Sequence, residues 1–564
     1  MIKDLSSNSV FLLPIEYDKK KVEIVNTLRE DLELVTSKNE NVPSVYDTIF
    51  QPSTDYGKEV LSRWGKFYTT NKTFLRESKD IYSKLKPEIK NEHINVFDKS
   101  YDVFKNDTGF LRKYQYLDWK RFEFLNENQM FLQGLSLYNL SSPFFSLVVP
   151  LVSLIIPFFM IKIMNRNVSF DAYKVVLIQQ LRNNSIFKVF TNFSGVSGQQ
   201  KFYLGAMALV YITNIYQNIL ACIRFYSNFS IIHDFFNSAV SYFSYVRDEM
   251  NRFIECSKNL TTYSLFNKNL ELYKTTVESY LGRIQKLQPF RITDILRIGE
   301  KMKLFHEFRY NTEFINTCDY CQGFIGYLDN LTGLQHHLKN NSMKYGKIGK
   351  TTQLTNLFHP TLLKKSPIKN TVKLDKNFII SGPNASGKTT LLKSILINVI
   401  LTQQIYCGFY DKCQIKLVDH FHCYLNIPDT NARDSLFQAE ARRCKEILDV
   451  IHESPSKTHL CIFDELYSGT NPFEAVGSAF SYLTYLSENP NVNFMLTTHF
   501  LNLCDLVKEN EKIVNKKMKA SVENEQVKYD YVIENGISNV KSGFQVLKNL
   551  NYPDSILEKV FSFN

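Results

Sequence analysis

The chain has 564 residues, 44% hydrophobic, 14% aromatic and 22% charged, which is too apolar for a disordered solvating protein and long enough for several cores. Its 21 Gly and 16 Pro exclude a collagen-like or low-complexity chain. The net charge of +11 is compatible with a polyanionic partner, although no basic tail concentrates it, and ten cysteines without repeated spacing point to a reducing, intracellular compartment.

In chain order, Met1 to Pro14 lacks the basic region, apolar core and cleavage site of a secretory signal, so none is expected. Residues 1–40 form an N-terminal extension. From there to residue 345 the sequence reads as mostly helical, with apolar residues at helical spacing, as in Val60, Leu61, Trp64 and Phe67. Two uncharged runs interrupt it. Pro143 to Ile161 is 19 residues of nearly continuous apolar character, about the length that crosses a bilayer, broken by Pro143, Pro150 and Pro157. Phe202 to Ile223, 22 residues between Lys201 and Arg224, holds Asn214, Gln217 and Asn218 and is the weaker of the two. A transmembrane hairpin competes with a hairpin buried in a soluble protein, and the charges flanking both runs do not choose an orientation. Cys318 and Cys321 form a Cys-x-x-Cys, but no second ligand pair has zinc-finger spacing, so two thiols on one helix face is the better reading.

A polar, basic stretch around Asn340 to Thr352 marks a boundary. Beyond it, short apolar runs at Phe378–Ile380, Leu460–Phe463 and Phe494–Thr497 alternate with helical patterns, the mark of a parallel sheet with crossover helices. Gly382-Pro383-Asn384-Ala385-Ser386-Gly387-Lys388-Thr389 fits G-x-x-x-x-G-K-[ST] between the strand NFII and a helix with Leu391, Leu392, Ile395, Leu396 and Val399 on one face. Such a loop turns backbone N–H groups onto phosphates, its lysine reaches the β and γ groups, and its hydroxyl ligates Mg²⁺. The loop requires an acid at the end of another strand. Asp464 supplies one, holding Mg²⁺ through water, and Glu465 beside it is placed to polarise an attacking water. His499 ends a third strand where a γ-phosphate sensor would sit, against the alternative of a structural histidine. Ser435 with Gln438 forms a capping box for a helix carrying Phe437, Ala441, Cys444, Leu448 and Ile451.

GPNASGKTT, DSLFQAEARR, CIFDELYSGTNPFEA and LTTHF resemble, in order and spacing, the ABC-type ATPase domain of the MutS family, and the resemblance covers about residues 354–564. It implies a fold: an all-α core or lever region over 41–345, then an α/β P-loop ATPase. By resemblance, Phe358-His359-Pro360 and Asn370 pack on the adenine, and Gly382 to Thr390 hold the phosphates. Ser435 belongs to a signature loop that reaches the γ-phosphate of a partner subunit in a homodimer, and Gly469-Thr470-Asn471 form a dimer-facing loop. Gly536-Ile537-Ser538, Ser542-Gly543-Phe544 and Tyr552-Pro553 resemble the family's closing pattern. Thr54 to Trp64 looks like the start of the helical core. No Phe-x-Glu of a mismatch-reading module occurs in the first 50 residues, and Phe305-His306-Glu307 is a coincidence of pattern. The resemblance implies a Mg²⁺-dependent ATPase acting in DNA mismatch repair or recombination on mismatched or branched DNA, in the cytoplasm or nucleus. The alternative is a membrane-attached MutS-like mechanochemical ATPase that reads no mismatches.

Overall fold

A computed structural model describes residues 10–39, 41–163, 169–183, 198–288, 295–425, 435–523 and 526–540, with short stretches between 547 and 559. The closing-pattern residues Ser542, Gly543 and Phe544 lie outside them. The chain divides into two compact units that do not follow chain order. One combines Met1–Ile89, Glu249–Tyr273 and Asp319–Asn564; the other combines Lys90–Asp248 and Lys274–Cys318. It is helix-rich before residue 344 and α/β after it.

The first unit is built on a six-stranded sheet in the order His420–Tyr424, His459–Asp464, Val492–Thr498, Asn377–Ser381, Ile513–Glu523, Gln526–Asn535. The first five are parallel and the last returns antiparallel. Three of these strands contain the runs expected from sequence; the other three were not anticipated. Asn377–Ser381 is buried at every position, as a central strand covered on both faces should be.

Helix Lys388–Ile405 follows it. The sequence pattern predicts one apolar face, but every residue from Leu391 to Ile405 except Lys393 is buried, including Asn398, Thr402, Gln403 and Gln404. The reason is a second contact surface. Gln404 Nε2 donates to the carbonyls of Trp64 (2.7 Å) and Phe67 (2.8 Å) while its Oε1 accepts from Tyr46 (2.9 Å), and Gln403 Nε2 donates to Thr69 O at 3.2 Å and Val418 O at 2.9 Å. Residues 46–69 therefore clamp the far end of this helix. Val60, Leu61 and Trp64 lie buried on helix Asp55–Trp64 as expected, but Phe67 falls in a short strand, Phe67–Thr69, because the helix stops at Gly65.

The same segment docks on helix Thr312–Lys339. Buried Asp329 accepts four hydrogen bonds, from the amides and hydroxyls of Ser53 and Thr54, all at 2.8–2.9 Å. Trp64 Nε1 donates to Asn330 Oδ1 at 3.0 Å. Gly333 sits so close that a Cβ there would lie 1.7 Å from Phe50 O.

The second unit is helical and packs by aromatic stacking. Phe97 lies on Tyr242 at 4.3 Å between centroids, Phe104 on Phe235 at 4.5 Å and Phe308 on Phe314 at 4.1 Å. His306 is buried among Tyr116 and Tyr310, and burial pushes its pKa down, which fits a core histidine. Helices Gln129–Ile163 and Gly198–Ser257 contain the two uncharged runs. Among the described residues, one helix is long and apolar enough to cross a membrane, over Lys201–Ser257. Most side chains from 150 to 158 in the first run lie outside the described residues. None of the ten cysteines is in a disulfide, and the described residues hold no cluster of three or more His, Cys, Asp or Glu suited to a metal.

Candidate functional site

The glycine loop leaves the carboxyl end of strand Asn377–Ser381 and enters helix Lys388–Ile405. Ala385 (φ 63°) and Gly387 (φ 88°) adopt left-handed backbone, the second where glycine is needed. A Cβ on Gly382 would lie 3.0 Å from Ser386 Oγ, so the loop is closed tightly on itself. No side chain caps the helix, leaving its first amides open to an anion. Buried Ser386 Oγ has no hydrogen-bond partner among the described residues. An orphaned donor beside an uncapped helix N-terminus fits a phosphate oxygen.

Lys388 Nζ donates to the carbonyls of Gly382 (2.9 Å) and Pro383 (3.2 Å). Burial lowers its pKa, opposed by the charges of Glu465 and Asp464. Thr389 Oγ1 donates to Asp464 Oδ2 at 2.7 Å, and Thr497 Oγ1 donates to the other carboxylate oxygen. The two residues assigned to Mg²⁺ thus touch, across 75 residues of sequence. Glu465 follows the strand at φ 55° and faces His499, whose Nδ1 is 3.3 Å from Oε1. The hydrogen bond from His499 is the largest influence on Glu465 and holds its pKa below the usual carboxylate value; burial opposes it. His499 is placed against Glu465, at the end of the adjacent strand.

A cavity of about 660 Å³ opens over the loop, a size suited to a nucleotide. Asn384 to Leu391, Glu465, Phe358 and His359 line it. His359 caps the turn Pro360–Lys365 by accepting from Thr361 N, and burial pushes its pKa down to about 4, so it presents a neutral ring at pH 7. Asn370 anchors the opposite wall: its Nδ2 donates to Tyr531 O at 2.9 Å and its Oδ1 accepts from Ile533 N at 2.8 Å. Met518 and Tyr531 also line it and were missed from sequence, where nothing distinguishes them from neighbouring strand residues. Thr390 lines the cavity as well, and Ser538 N donates to Ser381 Oγ at 2.8 Å, tying the Gly536-Ile537-Ser538 segment to the loop's strand.

Ser435 is outside this cavity. It caps helix Leu436–Glu453 through the expected box with Gln438 and is exposed. Glu440, five residues on from Ser435, belongs to the DSLFQAEARR stretch but carries no expected role of its own there; its buried carboxylate accepts from Ser468 N (3.1 Å), Ser468 Oγ (3.0 Å) and Gly469 N (3.2 Å). The loop Gly469-Thr470-Asn471 is thereby fixed beside Ser435's helix, and a Cβ on Gly469 would lie 2.6 Å from Leu436 Cγ.

A parallel α/β domain with a glycine loop at the carboxyl end of a central strand and an acidic pair on a neighbouring strand defines the class. Residues 378–562 match the family model MutS domain V. The Endonuclease MutS2 of Staphylococcus saprophyticus is 25% identical over 257 residues, 44% of this chain and 32% of that protein. That of Streptococcus uberis is 28% identical over 241 residues, 42% of this chain and 30% of the relative. The DNA mismatch repair protein MutS of Prochlorococcus marinus strain AS9601 is 26% identical over 254 residues, 42% and 27% of the two chains. Over this domain the chain is similar to MutS and MutS2 proteins, and residues 378–562 form a MutS domain V. The match spans about a third or less of these relatives' length.

Proposed function

We propose that the C-terminal domain binds ATP and hydrolyses it to ADP and phosphate. The observation that carries this reading is the contact of Thr389 with Asp464 beside an uncapped helix N-terminus and the unpartnered Ser386 hydroxyl. Loop amides 384–389 and Ser386 Oγ bind phosphate oxygens. Lys388 exchanges its two loop carbonyls for the β- and γ-phosphates. Neutral His359 with Phe358 and Tyr531 flank the base at the apolar end of the cavity. Glu465 orients a water and takes its proton as the water oxygen bonds to the γ-phosphorus and the bridging bond to ADP breaks. Mg²⁺ held by Thr389 and, through water, Asp464 would neutralise charge on the β- and γ-oxygens.

The test is ATP turnover by the full chain. Turnover in Mg²⁺ that EDTA abolishes is expected, and Glu465→Gln retains ATP binding while turnover falls about 10² or more, the scale of losing a positioned base. Unchanged turnover in that variant removes Glu465 from the mechanism.

We further infer, from the relatives' names and the net charge of +11, that turnover serves a DNA transaction of the mismatch-repair or recombination type, in a homodimer. Turnover should rise on adding duplex DNA carrying a mismatch or a branch. Equal turnover with and without every such DNA refutes this second part alone.

A further inference from the structure

Helices Gln129–Ile163 and Gly198–Ser257 meet through a short polar seam, while Thr213, Asn214 and Gln217 on the second helix are exposed. Tyr211 OH donates to Ser146 O at 3.0 Å, Asn218 Nδ2 to Ser146 Oγ at 2.6 Å, and Cys222 Sγ to Leu140 O at 3.7 Å, an antiparallel register. The apolar groups face out. Phe144, Leu147 and Val149 on the first helix are 62%, 52% and 55% exposed; Leu209, Val210 and Ile212 on the second are 66%, 64% and 62% exposed.

The prolines add an independent observation. Proline has no N–H, so each one leaves the carbonyl four residues earlier without its helical partner. Pro143 orphans Asn139 O, which accepts instead from Ser142 Oγ at 3.1 Å. Pro150 orphans Ser146 O, and that is the carbonyl Tyr211 reaches across the hairpin. On an exposed soluble helix water would satisfy both. Supplying protein donors to freed carbonyls is what a helix needs where water is absent. The dimensions agree: Phe202 to Ile223, 22 residues without charge, rise about 33 Å as helix, against about 30 Å of hydrocarbon, and Lys162 and Arg224 lie at the ends of the two runs. An uncharged apolar face offers nothing to the phosphates of DNA.

We propose that this hairpin inserts into the hydrocarbon core of a phospholipid bilayer, with the Ser146–Tyr211–Asn218 seam turned inward. The proposal is independent of the ATPase reading. Its test is flotation of the full chain with vesicles of phosphatidylcholine and phosphatidylglycerol, with ATP turnover measured on the same samples. Wild type should float and resist carbonate extraction. Leu147→Arg with Val210→Arg, on the outer faces, should lower the floated fraction tenfold or more with turnover unchanged. As a second measurement, Leu209→Cys in vesicles should react with a charged maleimide only after SDS is added, the label being read at residue 209 by peptide mass so that the ten native thiols do not contribute. Wild type that stays at the bottom of the gradient, monodisperse without detergent, overturns the proposal. So does carbonate release, equal labelling before and after SDS, or a detergent-free oligomer that the two arginines dissociate, since a second copy would then cover this face.

Discussion

Glu465 holds a left-handed backbone conformation that a side chain adopts at a cost, and such strain persists where the surroundings over-determine it. Its carboxylate is kept ionised chiefly by the hydrogen bond from His499. Because the folded pKa is depressed, the associated stability is present above the ordinary value of 4.5 and is lost as pH falls through the lower, folded value. His499→Ala should therefore move the acid limb of the ATP turnover profile to higher pH; a pH–rate profile that does not move assigns His499 no influence on Glu465. At this scale the site was largely legible. Gly382 to Thr389 and Asp464 are recognisable because strand, loop and helix are contiguous in sequence and the chemistry fixes their residue types. Tyr531 and Glu440 were not, because their roles arise from contacts that only the fold brings together: the Asn370 bond to Tyr531 O bridges 161 residues, and Glu440 meets Ser468 across 28.

Strand starts His420–Tyr424 and His459–Asp464 bring three imidazoles into a stack, with His459 5.0 Å from His420 and 5.4 Å from His422 between centroids. His459 Nε2 faces Ser454 O at 2.9 Å and must donate, so its Nδ1 accepts from His422 Nε2 at 3.1 Å. Burial, reinforced by the neighbouring histidines, pushes His422 down to about 3, and burial lowers His420 and His459 too. The unfolded chain takes up these protons first, so stability falls as pH drops below 6.5; for buried His422 the loss approaches about 1.4 kcal/mol per pH unit until its folded value is reached. Urea unfolding at pH 7 and pH 5 should show this loss, and His422→Gln, which keeps a donor to His459, should reduce it. An equal loss in the variant would place the acid sensitivity elsewhere. Helix Thr312–Lys339 offers a second test: Gly333→Ala drives a methyl into the Phe50 carbonyl and should destabilise the protein by roughly 1–3 kcal/mol in thermal or urea unfolding. Periodicity foretold helices here but not which faces are covered; helix Lys388–Ile405 was read as one-sided because its second covering layer comes from residues 46–69, remote in sequence.

Over the whole molecule, the exposed Ser435, the fixed Gly469-Thr470-Asn471 loop and an 85% exposed Phe473 lie on elements held together by Glu440. A homodimer that completes its sites through Ser435 predicts complementation: Lys388→Ala mixed with Ser435→Arg should recover part of the ATP turnover that each lacks alone, through one intact composite site. Heterodimers that form without recovery would confine the reaction to single chains. The interleaved units also set a timetable for biosynthesis. Thr54 finds Asp329 across 275 residues, and Tyr46 finds Gln404 across 358. At roughly 5–20 residues per second of translation, the nascent segment bearing Phe50 and Trp64 waits tens of seconds for its partners to leave the ribosome. During that interval its aromatic side chains remain uncovered, which makes this early stretch a natural client for a holding chaperone.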